Sequence, residues 1–258
     1  MAVTMDETPS DGIRSRKPRA KNAPPRGATA RFARHAARNS EIVYRDLREA
    51  IVNVTLPPGT PLSEKEITEK YGISRTPVRE AILRLVEEKL VDVIPKSGTF
   101  VARIPVDELR EAIVARKALE EVCVREATER ATKSQLMELE AVIQRERELA
   151  EKGDEQAFHE ADNAFHAGIA AASGYPGIWN MIEKIRVQVE RYRRLTLPQQ
   201  GRMQLVVDEH AQVLDAMERG DADEAVERMH SHLNKLQIDI GTFQGLWPDY
   251  FLFDTDQA

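Results

Sequence analysis

The chain has 258 residues, with 37 Lys and Arg against 43 Asp and Glu, so its formal net charge is only −6 and the total does not point to a polyanionic partner. A single cysteine, Cys123, excludes an internal disulfide framework and fits a reducing compartment. No apolar run approaches the ~18 residues a spanning helix needs, and the start MAVTMDETPSDG lacks the apolar stretch of a secretory signal, so the expectation is a soluble, cytoplasmic protein without a membrane partner.

The charge is unevenly spread. Residues 1–40 carry nine basic side chains against three acidic ones, residues 41–104 carry ten of each, and residues 105–258 carry 18 against 30. Such segregation implies regions with different electrostatic tasks. Residues 1–38 contain four prolines and few apolar side chains, too little to offset chain entropy, and are expected to form a disordered basic arm.

From Ser40, Val43, Leu47, Ala50, Ile51 and Val54 recur at helical spacing, and LPPGT at 56–60 stops that helix. Ser63 with Glu66 reads as a capping box, and Leu62 with Ile67 as its hydrophobic staple, opening a short second helix that Gly72 closes. Ser74 opens a third helix with Val78, Ala81, Ile82 and Leu85 on one face. The period then falls to about two in VDVI and TFVARI, with a Gly-containing turn between them. Three helices and a hairpin make a winged helix-turn-helix domain, assigned to residues 39–104.

Pro105 marks the next boundary, and residues 105–241 read as an all-helical antiparallel bundle of six helices at about 106–131, 134–151, 154–173, 176–196, 202–219 and 221–240. The fold class is therefore mainly α. The tail, residues 242–258, holds five of the fourteen aromatics and reads as a segment packed on the bundle or, less simply, as a partner motif.

In a helix-turn-helix the second helix enters the major groove with its N-terminal residues at base edges. Here these are Arg75, Thr76 and Arg79. Arginine can donate two parallel hydrogen bonds to guanine, and Thr76 can meet a thymine methyl or a phosphate. Lys65 is placed for a phosphate or an adjacent base, and Lys96 on the wing for the neighbouring groove, with Gly98 allowing the hairpin tip to approach closely.

In the bundle, Asp162 and His166 are four apart and share a helical face. His210 runs with Val213, Leu214 and Met217, and His232 with Met229, Leu233 and Leu236, so each histidine sits on the apolar side of its own helix. Three imidazoles and one carboxylate could form a first shell for Zn, Ni, Mn or Fe, or be buried groups satisfied by hydrogen bonds alone. Arg116 lies between Ile113 and Leu119 on a core-facing side, suited either to an anion or to a salt bridge with Glu120. Arg194 is a second candidate for an anion, although the cluster Arg191-Tyr192-Arg193-Arg194 also reads as a solvated face.

LPPGTPLSEKEITEKY, GISRTPVREAILRLVEEKLV and PKSGTFV together resemble the winged helix of the GntR family of bacterial transcription regulators, over roughly residues 41–103. Residues from about 106 to 236 resemble the FCD effector domain of its FadR subfamily, through RKALEEVCV, DNAFHAGIAAASG, DEHAQVLDAMERGDADEA and MHSHL. The resemblance implies operator contacts from Arg75, Thr76 and Arg79 with Lys65 contributing. It implies metal ligation by Asp162, His166, His210 and His232, zinc being the first expectation, with His159 and His230 as bystanders. Arg116 would face a small organic acid that also touches the metal. A homodimeric repressor on a palindromic operator is then expected, with two other readings beside it: a structural metal with an apolar ligand such as an acyl-CoA, and a metalloenzyme.

Overall fold

The computed structural model describes residues 26–238 and 240–252. Helix α1 spans Arg26–Val52, so the helix begins well ahead of Ser40 and takes in residues 26–38 of the expected basic arm. Pro24 and Pro25 are the last prolines before it, and the alanine-rich stretch that follows holds no helix breaker after Gly27. The rest of that arm, residues 1–25, lies outside the described residues.

Helix α2 (Glu64–Tyr71) starts where Ser63 accepts a hydrogen bond from the Glu66 N–H at 3.3 Å. It ends at Gly72, whose φ of +62° carries the chain into the left-handed turn before α3 (Arg75–Glu87). Strands β1 (Val91–Ile94) and β2 (Gly98–Val101) form the antiparallel wing, in register Val91 to Val101. Lys96 holds a φ of +66° at its tip. One apolar core, including Val43, Ile51, Ile67, Val78, Leu85, Leu90 and Val101, unites these elements.

Strand β3 (Ile104–Pro105) leads into the bundle: α4 (Val106–Arg130), α5 (Lys133–Lys152), α6 (Glu155–Ala172), α7 (Gly177–Ile185), α8 (Val187–Thr196), α9 (Arg202–Glu218) and α10 (Ala222–Ile238). Helix α4 packs on α6, α6 on α5, α5 on α9, α9 on α10 and α10 back on α4, which closes a ring of five helices around one interior. The expected single helix at 176–196 is two helices broken at Arg186. No Gly or Pro stands at the break. Instead the start of α8 turns toward the winged helix, where Val187 packs against its core.

The tail contains helix α11 (Ile240–Leu246) and strand β4 (Phe251–Leu252), which pairs in parallel with β3, Ile104 opposite Phe251. Phe251 is buried and meets the Tyr192 ring edge-on, centroids 6.4 Å apart. The tail therefore packs back on the protein, at the junction of its two domains. Among the described residues no helix is long and apolar enough to cross a membrane.

Candidate functional site

The winged helix presents its expected contact residues to solvent. Arg75, Thr76 and Arg79 are exposed at the start of α3, whereas Pro77 and Val78 point into the core, so a single turn separates reading side chains from packing ones. Ser74 makes no side-chain cap at this helix end, which leaves its first backbone N–H groups available to a phosphate. Arg79 is held by Glu64 on α2, its Nε lying 2.9 Å from Oε2. Lys65, Lys96 and Gly98 are all exposed, and Lys65 lies 3.9 Å from Glu69.

The ring interior is unlike an ordinary core. His166 (α6), His210 (α9) and His232 (α10) come together there, with ring centroids 4.7–5.4 Å apart and donor atoms close enough to share one ion. Asp162 on α6 lies beside them, its carboxylate oxygens 3.9 Å from His166 Nε2 and 3.8 Å from His210 Nε2. All four residues named from the sequence are thus buried in one place.

Each imidazole is oriented by a glutamate on its Nδ1: Glu120 of α4 at 2.5 Å from His166, Glu146 of α5 at 2.9 Å from His210, and Glu209 of α9 at 2.7 Å from His232. A carboxylate on one ring nitrogen aims the other, and the buried Nε2 atoms of His166 and His210 have no hydrogen-bond partner. Phe165 stacks on His210 at 4.1 Å between centroids and helps fix its plane. The donor set, the orienting carboxylates and the two unpartnered nitrogens fit a divalent metal.

The electrostatics act differently on the members of this cluster. Burial, assisted by Arg116, pushes His166 down to about 4, and burial with the neighbouring imidazoles pushes His232 down to about 3, so both are neutral donors near neutral pH. His210 is shifted upward, because Glu146 and Asp162 outweigh the effect of its burial. Asp162 is held well below the usual carboxylate range: Arg193, which binds both of its oxygens, overrides the burial penalty.

Arg116 is almost completely buried on α4. Its Nε donates to Glu120, the same carboxylate that holds His166, while both Nη atoms are buried without a hydrogen-bond partner. The two readings left open by the sequence are therefore compatible: one edge of the guanidinium makes the salt bridge, and the other is free for an anion. Arg186 lies nearby, bonded to Asn163 and Glu190 and set over the Trp179 ring.

Arg194, by contrast, is half-buried and donates to Gln156 at the periphery, and the arginine in the centre is its neighbour Arg193. Nor is the Arg191–Arg194 cluster a solvated face, since Arg191 and Arg193 are both buried. Arg193 sits four residues from the core residue Val189, a spacing that could have placed it. Glu120 and Glu209 also had signals, four residues after Arg116 and immediately before His210. Glu146 had none among the many glutamates of α5. His159 pairs with Glu190, and His230 faces Glu121 on the outside of α10, away from the cluster.

Comparison with known proteins agrees with this division. Residues 39–101 match the family of bacterial regulatory proteins, gntR family, and residues 111–235 match the FCD domain. The chain is 30% identical over 209 residues to the HTH-type transcriptional repressor RspR of Escherichia coli, covering 81% of this chain and 92% of that one. It is 29% identical over 182 residues to a probable D-xylose utilization operon transcriptional repressor of Paenarthrobacter nicotinovorans, covering 69% of this chain and 78% of that protein. Among solved structures, E. coli McbR/YncC superposes with a TM-score of 0.63 at 28% identity, covering 80% of this chain and 98% of the other.

Proposed function

The chain belongs to the GntR family of bacterial transcription regulators and carries an FCD effector domain, and on that premise we propose that it is a repressor whose operator affinity is set by a small organic acid bound beside a divalent metal ion. The family and the relatives are transcriptional regulators rather than enzymes. Two similar proteins carry the name of repressors, which supports the sign of the regulation.

The observation that carries the effector reading is the Glu120 carboxylate, which holds Arg116 Nε on one oxygen and His166 Nδ1 on the other. It ties the Arg116 guanidinium, whose Nη atoms are unpartnered N–H donors, to the His166 imidazole, whose unpartnered Nε2 lone pair faces the cluster. Leaving a buried guanidinium half-unpaired is costly, about 1–3 kcal/mol or more, and an anion removes that cost. The metal would be held by Asp162, His166, His210 and His232. When bound, it supplies positive charge that draws a carboxylate oxygen of the effector. Three imidazoles and a carboxylate suit zinc, with nickel, manganese and iron also compatible. A polar, charged interior of this kind argues against an acyl chain as the signal.

DNA would be read by two copies of the chain on a palindrome, each placing the exposed Arg75, Thr76 and Arg79 in a major groove. The test is a thermal-shift screen of small organic acids against Zn-loaded protein, repeated with Arg116→Ala. An acid that stabilises the parent, weakens its hold on operator DNA and does neither in the variant supports the reading. Acids that act equally on both proteins would overturn the role of Arg116.

A further inference from the structure

Helix α8 touches both domains with opposite faces. Val187, Gln188 and Arg191 lie within about 100° of each other on a helical projection, and Arg193 lies about 200° from Arg191. Val187 packs against the winged-helix core. Gln188 Nε2 donates to the Lys89 carbonyl at 3.4 Å, in the turn after α3. Arg191, fully buried, donates through Nη2 to the Ala102 carbonyl at 2.5 Å and through Nη1 to Gln188 at 3.0 Å. Ala102 is itself a junction: its N–H donates to the Leu90 carbonyl at 2.9 Å, so it ties the end of the wing to the segment following α3, just before β3 leads into the bundle. Two groups of α8 therefore hold the two ends of the wing hairpin, where it leaves α3 and where it runs on to β3.

The other face holds the ligand cluster. Arg193 spans both oxygens of Asp162, the same oxygens that face His166 and His210, and Glu190 joins Arg186 and His159. A cation taken up by the imidazoles competes with Arg193 for Asp162. In a helix of ten residues a shift of Arg193 cannot be absorbed locally, because Val189 and Tyr192 are packed in the bundle core between the two faces.

We propose that α8 is the element that carries the state of the site to the DNA-reading domain: Arg193 registers what Asp162 binds, and Arg191 positions the recognition helix and wing through the Ala102 carbonyl. This assignment rests on the metal reading above. Arg191 touches no ligand of the site, so its part is positioning rather than binding. Among the described residues the buried guanidinium has no carboxylate within hydrogen-bond reach and bonds to the Ala102 carbonyl and Gln188, so a movement of α8 that broke these bonds would leave a buried charge unpaired, and the movement is passed to Ala102 instead.

The test uses the full chain, stripped of metal, with Zn²⁺ alone as the probe. Calorimetry reads Zn²⁺ binding, and hydrogen exchange by mass spectrometry reads peptides covering 88–93 and 99–105. In the parent, Zn²⁺ should bind and change exchange in both peptides by about threefold or more. Arg191→Met should bind Zn²⁺ within about twofold of the parent affinity yet lose the exchange response. Should that variant not fold by circular dichroism, Arg191→Lys and Gln188→Ala, which each weaken one junction bond, should each lose part of it. Zn²⁺ binding with no exchange change in the parent, or an undiminished change in the folded variants, overturns the relay alone. Failure of the parent to bind Zn²⁺ overturns the metal reading and the relay with it.

Discussion

The winged helix and the bundle use charge in opposite ways. In the first, the buried residues are apolar except for Ser40, and Arg75 and Arg79 stand in solvent at the start of α3. In the second, Arg116, Glu120, Glu146, Asp162, Arg193 and three histidines are buried in the middle of the helix ring. Ionised groups are expensive to bury, several kcal/mol each before their pairing offsets the loss of water, and well-packed apolar residues would hold a helical ring at least as well. The contrast separates a domain whose charged groups stand in solvent from one whose interior carries the cost of buried charge, as the proposed site would require.

Removing one partner from the interior should produce the largest effect. Arg193→Ala leaves Asp162 buried without its counter-charge and should lower unfolding stability by about 3–5 kcal/mol in urea denaturation. Arg79→Ala, on the surface, should change the same quantity by no more than about 0.5 kcal/mol. Equal losses in the two variants would erase the distinction. Next comes the orienting shell. Glu146→Gln and Glu209→Gln keep the packing but weaken the hold on His210 and His232, and each should cut Zn²⁺ affinity by about 10–100-fold in calorimetric titration. Affinity unchanged by both substitutions would mean that these glutamates serve only packing.

On the DNA side, Arg79→Ala should weaken operator binding by about 1–3 kcal/mol and relax base preference in footprinting. Unchanged footprints would reject Arg79 as a base reader. The smallest effect is expected at Glu64→Gln, which removes the partner of Arg79 and should alter unfolding stability by no more than about 0.5 kcal/mol. A larger loss would mean that the pair holds α2 on α3.

The same contrast explains what was legible in the sequence. Elements set by local chemistry are where the spacing predicts them: Ser63 caps α2, Gly72 ends it, and Gly153 and Gly220 close α5 and α9 in left-handed turns. Asp162 and His166 were readable because four residues make one helical turn. The break at Arg186 was not, since it follows from Val187 packing against the other domain, a long-range contact with no local mark. The start of α1 was misplaced for a related reason: charge and nearby prolines suggested disorder, while alanine-rich helix propensity governs residues 26–38. Arg193, which binds Asp162, lies one residue and about 100° of helix from Arg194, and its spacing from the core residue Val189 is the one local mark of its position. The glutamates behind the histidines come from three helices, and while Glu120 and Glu209 stand at marked spacings from Arg116 and His210, nothing local marks Glu146.

On the proposed reading the buried imidazole cluster is a metal site and not a set of hydrogen-bonded core histidines. Elemental analysis by plasma mass spectrometry, on full-length protein purified without chelator and compared with a His166→Ala/His210→Ala double variant, tests it most directly. A divalent transition metal in near-stoichiometric amount in the parent, and only traces in a folded variant, is the predicted result. Equal trace amounts in both, with no uptake by the parent on dialysis against Zn²⁺, would contradict it.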